Sequence, residues 1–96
     1  MQATINEKTF KVRLGLLTPE TCSVVFSVPD EVFRINGKDY TDLQICAHFM
    51  DGHQPQLSYS AKNGLTLKAR KKIRADYGTA CLEYAKQNLQ EIMLAE

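Results

Sequence analysis

Residues 40–60, YTDLQICAHFMDGHQPQLSYS, decide whether the middle of this chain adds a helix or a pair of strands to the fold. A helix would begin with a capping box, because Thr41 can cap the first turn and Gln44 lies three positions later. Gly52 would then end that helix in a left-handed conformation. The helix accounts for the residues before the Asp-Gly turn and leaves those after it unexplained.

Two strands account for the residues on both sides of the turn. A three-residue loop at 51–53 pairs Ile45 with Tyr59 and Ala47 with Leu57. This register places the four apolar side chains on one face of a sheet, because side chains alternate along a strand. A two-residue Asp-Gly turn would set the same side chains opposite polar ones. We therefore favour two antiparallel strands over the helix.

Two further hairpins are predicted nearer the N-terminus. Residues 9–17, TFKVRLGLL, alternate apolar and polar side chains, and residues 22–28, CSVVFSV, form a second and more buried run. Pro19 presets a turn between these two runs. Asn36-Gly37 marks the other hairpin, because both central residues of a type I′ turn need positive φ. The side chains expected on one face of the first strand are Phe10, Val12, Leu14 and Leu16.

The residue pattern of the last part of the chain predicts a helix. From about residue 70 to 95 only Gly78 resists helix formation, which makes it a candidate kink or break. One apolar stripe follows a period of 3.6, and a second set beyond Gly78 is rotated away from it. That second set belongs either to a wide core-facing stripe or to an interface with a partner or a second copy. The stripe is Ile73, Tyr77, Ala80, Cys81, Tyr84 and Ala85, and the interface candidates are Leu82, Leu89, Ile92 and Met93.

These elements predict one α+β domain spanning residues 1–96, strand-rich over 1–64 and helical over about 66–95. Its antiparallel sheet of four to six strands, joined as hairpins, packs against a long or kinked C-terminal helix. The apolar fraction of 44% is that of an ordinary globular protein. Three widely spaced cysteines favour reduced thiols over a disulfide framework. No apolar run reaches the roughly 20 residues that cross a bilayer, and no secretory signal is present, so we expect a cytoplasmic protein without a membrane partner.

The net charge of +1 conceals an uneven distribution. Residues 62–74 carry six cations and no acid, whereas the rest of the chain carries six cations against eleven acids. Such a segment can neutralise phosphates or dock an acidic protein surface. It contains no aromatic residue on which a base could stack. The predicted basic patch is Lys62, Lys68, Arg70, Lys71, Lys72 and Arg74.

Catalytic and metal-binding motifs are not found in the sequence. Cys46, His48 and His53 surround one turn and are residue types that bind zinc, but their spacing matches no zinc signature. We therefore predict neither a metal nor a cofactor. No Gly-rich phosphate loop, nucleophile elbow or HExxH motif is present, so we do not expect an enzyme.

The expected function is that of a small, non-catalytic protein–protein interaction module, an accessory, regulator or inhibitor of a larger assembly. The apolar interface candidates, the basic patch, or both would bind the other protein. The alternative is a nucleic-acid-binding accessory protein that uses residues 62–74. A homodimer is compatible with either function.

Overall fold

The chain folds into seven β-strands followed by one long helix, as described for residues 1–95 by a computed structural model. The helix consists of α1 (Leu67–Ile73), a π-helical turn (Arg74–Gly78) and α2 (Thr79–Leu94). No helix within these residues has the length and apolar character needed to cross a membrane. The strands are β1 (Gln2–Ile5), β2 (Lys8–Leu17), β3 (Thr21–Ser27), β4 (Val32–Ile35), β5 (Lys38–Thr41), β6 (Gln44–Met50) and β7 (Gln56–Ser60), and the helical segments are α1 (Leu67–Ile73), the π-turn (Arg74–Gly78) and α2 (Thr79–Leu94).

Five strands form one antiparallel sheet in the order β1-β2-β3-β6-β7. Between β6 and β7, Ile45 lies opposite Tyr59 and Ala47 lies opposite Leu57. The predicted register is therefore confirmed, and residues 44–50 form a strand, not a helix. The predicted α+β class, an antiparallel sheet packed against a C-terminal helix, is confirmed as well.

A second, two-stranded sheet is inserted between β3 and β6. Within the described part of the chain β4 and β5 pair only with each other, and their turn contains Asn36 and Gly37 with φ of 53° and 81°. These positive angles are those that a type I′ turn needs, as predicted. The hairpin packs against the helix, with the rings of Phe33 and Tyr77 5.7 Å apart in an edge-to-face arrangement. It adds three buried side chains to the core, Phe33, Ile35 and Tyr40.

The core lies between the helix and one face of the five-stranded sheet. Alternate strand residues point toward the helix, because the side-chain period of a strand is two. Phe10 and Phe26 on neighbouring strands meet edge to face with their ring centroids 6.3 Å apart. The opposite face of the sheet, which the helix does not cover, carries more polar side chains. The largest fully buried side chains are Phe10, Val24, Phe26, Leu43, Ile45, Ile73, Cys81 and Ile92.

A β-bulge in β2 places Leu16 on the face of the sheet opposite to the one predicted. The register between β2 and β3 shifts between Leu14, which lies opposite Val24, and Leu16, which lies opposite Ser23. The extra residue is Gly15. Leu16 therefore leaves the face of Phe10, Val12 and Leu14, and the prediction that it continues that face is wrong.

The bulge also moves the following residue toward the helix side. Leu17 lies opposite Cys22, which shares its face of β3 with Val24. Gly15 is required at the bulge because a Cβ there would come within 2.8 Å of the Cγ2 atom of Val25. A single glycine thus places one leucine on each face of the sheet at this end of the strand.

The helix does not break at Gly78 but continues through it as a π-turn. A π-turn inserts one extra residue, so Ile73 and Gly78, five positions apart, are both buried. The same extra residue turns Ala80 to the solvent, contrary to its predicted place in the core-facing stripe. The departure from helical geometry lies instead at Asn88, with φ of −121° and ψ of 15°. Its Nδ2 donates to the Tyr84 carbonyl at 2.9 Å.

Candidate protein-binding groove and basic surface

An open groove lies at one end of the sheet, where two turns meet the last turns of α2. Its volume is about 320 Å³, and its lining is mainly apolar. Leu17, Met50 and Met93 line it and are 54%, 50% and 40% exposed, which leaves large apolar side chains open to solvent. We call this site the end groove; it is lined by Leu17, Thr18, Pro19, Glu20, Thr21, Cys22, Phe49, Met50, Asp51, His53, Pro55, Leu89 and Met93.

Hydrogen bonds hold the two turns of the end groove together. In the β2–β3 turn, Thr18 Oγ1 accepts from the Thr21 amide at 3.0 Å, and the Thr18 amide donates to the Thr21 carbonyl at 2.8 Å. Between the two turns, the Asp51 amide donates to the Glu20 carbonyl at 3.1 Å and continues the β3–β6 ladder. The walls are therefore largely in place before anything binds, which lowers the entropic cost of binding.

The end groove is negatively charged at its rim. Glu20 and Asp51 are exposed and line it, and none of its described lining residues is lysine or arginine. The C-terminal end of α2 adds partial negative charge from its free carbonyl groups. No basic residue lies in the last turn of α2 to offset that charge. A ligand that combines apolar surface with positive charge fits this environment best.

The four apolar interface candidates from the sequence do not form one surface. Ile92 is 1% exposed and belongs to the core, so a partner cannot reach it; the bend at Asn88 accompanies this placement. Leu82 and Leu89 are half-buried against the core. Leu89 and Met93 line the end groove, whereas Leu82 does not. The candidate binding surface is therefore not one face of the helix. It is the groove that the end of α2 forms with the sheet.

The basic patch is brought together mainly by α1. Thr66 caps this helix, and its Oγ1 accepts from the Ala69 amide at 3.1 Å. Ala69 and Ile73 are buried, so the remaining positions of α1 face solvent. Lys72 pairs with Asp76 at 3.3 Å, and no other cation of the patch has an ion pair within residues 1–95. The patch members Lys62, Lys68, Arg70, Lys71, Lys72 and Arg74 are all exposed.

The aromatic side chains near the basic patch, Tyr59 and Tyr77, pack against the core. Tyr77 packs edge to face against Phe10, with ring centroids 5.6 Å apart, as well as against Phe33. The Tyr59 hydroxyl is buried and has no hydrogen-bond partner among the described residues. Burial accordingly raises the pKa of Tyr59. Neither ring is free to stack on a base.

A polar chain crosses the sheet face that the helix leaves uncovered. His48 is central: its Nδ1 lies 2.9 Å from Ser23 Oγ and its Nε2 lies 2.7 Å from Ser58 Oγ. Each ring nitrogen therefore has a hydroxyl partner, and these contacts fix the orientation of the ring. The contact with His48 also gives the hydroxyl of Ser23, a polar residue that is buried in this sheet, a hydrogen-bond partner.

The weak metal candidates of the sequence do not form a cluster. Within residues 1–95 no three His, Cys, Asp or Glu side chains come together as ligands. Both nitrogens of His48 already contact serines, and His53 lies in the exposed turn after β6. Cys46 is half-buried, and burial raises the pKa of its thiol. The pKa of Cys22 is raised for the same reason.

Stability should fall in alkaline solution because of Cys81. Burial raises the pKa of its thiol from 9.0 to about 12. Between these values the unfolded chain loses the proton and the folded chain keeps it, so the contribution is complete below pH 9 and is lost as the pH rises toward 12. In this range the free energy of unfolding falls by up to about 1.4 kcal/mol per pH unit. Urea denaturation with a reductant present measures it.

The matched control for this prediction is Cys81→Ala, which lacks the thiol. The difference in free energy of unfolding between wild type and variant should shrink as the pH rises above 9. A difference that stays constant over that range contradicts the assignment of the slope to Cys81.

No protein-family model, curated protein or solved structure matches this chain. A functional assignment therefore depends on the geometry of the end groove and the basic patch.

Proposed function

We propose that the protein is a non-catalytic protein-binding module whose end groove receives an apolar side chain of a partner segment carrying lysine or arginine. In this role it acts as an accessory, regulator or inhibitor of a larger assembly. The observation that carries the proposal is the end groove itself, in which exposed leucine and methionine side chains meet an acidic rim.

The shape of the end groove favours a peptide segment over a small molecule. Small-molecule sites enclose about 70–90% of their ligand and range from about 300 to 1,000 Å³. At about 320 Å³ the groove is at the small end of that range, and it is open to solvent along its length. Such a site suits one or two side chains whose backbone stays outside. The methionines add adaptable apolar surface, which is typical of sites that bind partner helices or extended segments.

The experiment uses the absence of tryptophan from this chain. A short peptide with a Trp-Leu centre flanked by lysines is titrated with the protein, and a shift of the tryptophan emission to shorter wavelength reports burial. The paired peptide carries glutamates in place of the lysines. We expect the lysine peptide to bind roughly three- to tenfold more tightly, because each exposed ion pair contributes up to about 1 kcal/mol.

Raising the salt concentration separates the electrostatic contribution to binding from the apolar one. The advantage of the lysine peptide should shrink at about 1 M salt, where the Debye length is about 3 Å, while apolar binding remains. Tighter binding of the glutamate peptide would contradict the proposal, because it would assign docking to the basic patch. Failure of both peptides to bind at low salt would also count against it.

A second candidate function is contact with nucleic acid through the basic patch. It is favoured by the exposure of all six cations and by the lack of ion-pair partners for five of them within residues 1–95. Affinity for short DNA or RNA should then fall steeply with salt, and reversing the charges of Arg70, Lys71 and Arg74 should abolish it without unfolding the protein. A flat response to salt would rule this function out.

A further inference from the structure

The strand β7 is the unpaired edge of the five-stranded sheet beside the polar chain of His48. Among residues 1–95 it pairs with β6 on one side and with no strand on the other. Since the Asp51 amide donates to Glu20, odd-numbered residues along β6 direct their backbone groups toward β3 and even-numbered ones toward β7. The even residues of β7 pair with the even residues of β6. The N–H and C=O groups of Leu57 and Tyr59 therefore point away from the sheet.

The five residues of β7 lack the devices that usually prevent strands from pairing, although Pro55 and Arg74 lie beside the strand. Natural edge strands are protected by charged side chains, proline or bulges. β7 has the sequence QLSYS, with no charge and no proline, and its pairing with β6 contains no register shift. An unprotected edge is a template for another strand.

We propose that β7 is a dimerisation edge to which a second copy of this chain adds its own β7, antiparallel, about a two-fold axis through Ser58. In this register Leu57 lies opposite the partner's Tyr59, so two pairs of residues exchange their outward N–H and C=O groups. Gln56 lies opposite the partner's Ser60 on the uncovered face. Each of these strand pairs joins side chains of like polarity, and none of the five residues of β7 is charged, which makes the strand complementary to itself.

The surface beside the edge leaves room for the added strand. A groove of about 280 Å³ runs along β7 on the helix side and is lined by Pro55, Gln56, Leu57, Arg74 and Leu82. Leu57 and Leu82 are half-buried there. A strand added to the edge covers this groove, which gives Leu82 the interface role that the sequence suggested. Because the two strands run in opposite directions, the two end grooves lie at opposite ends of the dimer.

The test uses two double variants at the same exposed positions. Gln56→Lys with Ser60→Lys sets like charges opposite each other across the two-fold axis. Gln56→Lys with Ser60→Glu sets opposite charges there instead. Sedimentation velocity over a concentration series should show a dimer for wild type and for the Lys/Glu variant, and a monomer for the Lys/Lys variant. Circular dichroism checks that each variant is folded.

Amide hydrogen exchange identifies the surface used. The amides of Leu57 and Tyr59 should be protected in the wild-type dimer and should exchange rapidly in the Lys/Lys variant. A wild type that stays monomeric up to its solubility limit overturns the proposal. So does a dimer that survives in the Lys/Lys variant, or one in which those two amides exchange rapidly. None of these outcomes depends on peptide binding in the end groove.

Discussion

Replacing Gly78 with alanine is expected to lower the free energy of unfolding by about 1–3 kcal/mol, the usual cost of overpacking a core. An alanine Cβ would lie 2.5 Å from Tyr59 Oη and 3.3 Å from two carbons of that ring. The backbone is not the obstacle, because the φ of Gly78 is −58°. In a free helix the same change would stabilise by about 1 kcal/mol. The loss must therefore come from the contact between the π-turn and β7.

The Tyr59→Phe variant tests that explanation. It removes the hydroxyl nearest to the new methyl group, so Gly78→Ala should cost clearly less in the phenylalanine background. Alone, Tyr59→Phe should leave stability unchanged or raise it, because the buried hydroxyl has no hydrogen-bond partner among the described residues. Urea denaturation of the four proteins measures the coupling. An equal cost of Gly78→Ala in both backgrounds would contradict the contact.

Replacing Met93 with glutamate should weaken binding of the lysine-flanked peptide about tenfold or more, which is about 1.4 kcal/mol. Met93 lines the end groove and is 40% exposed, so the change puts charge where an apolar side chain should bind and costs the fold little. Gln90→Glu is the matched control. It adds the same charge to an exposed position on the same helix that does not line the groove. Peptide titration by tryptophan emission measures both.

A third variant separates the rim from the apolar lining. Glu20→Gln with Asp51→Asn keeps the shape of the end groove and removes its two carboxylates. The preference for lysine over glutamate peptides should shrink, while the shift of the tryptophan emission persists. If the affinity for both peptides fell by the same factor, the two carboxylates would support the structure of the groove and would not select the charge of the peptide.

The sheet and its central register could be predicted because they depend on local patterns. A one-residue slip between β6 and β7 would set Ile45 and Ala47 opposite polar side chains of β7, so the apolar pattern favours one register. Asn36-Gly37 likewise specifies its hairpin through two residues alone. In both cases the information lies within one short segment, residues 45–59 for the register and residues 36–37 for the hairpin.

The end groove could not be predicted because its walls come from three distant parts of the chain. Leu17 reaches it only through the bulge at Gly15, and a glycine inside a strand pattern is the one sequence signal that indicates such a shift. Met50 and Met93 are brought near it by the β6–β7 turn and by α2. The π-turn could not be predicted either, because its Gly78 packs against the Tyr59 ring, which comes from a distant strand. Its Asp76 carbonyl also accepts from Asn6 Nδ2 at 3.0 Å, a contact seventy residues away in sequence.

The most direct test of the proposed function is to map the bound peptide by nuclear magnetic resonance. Backbone amide shifts of labelled protein are recorded as the lysine-flanked peptide is added. Binding in the end groove predicts that the largest changes fall on Leu17, Met50 and Met93 and that α1 is unaffected. Shift changes confined to Lys68, Lys71 and their neighbours on α1, without changes at the residues of the end groove, would contradict it.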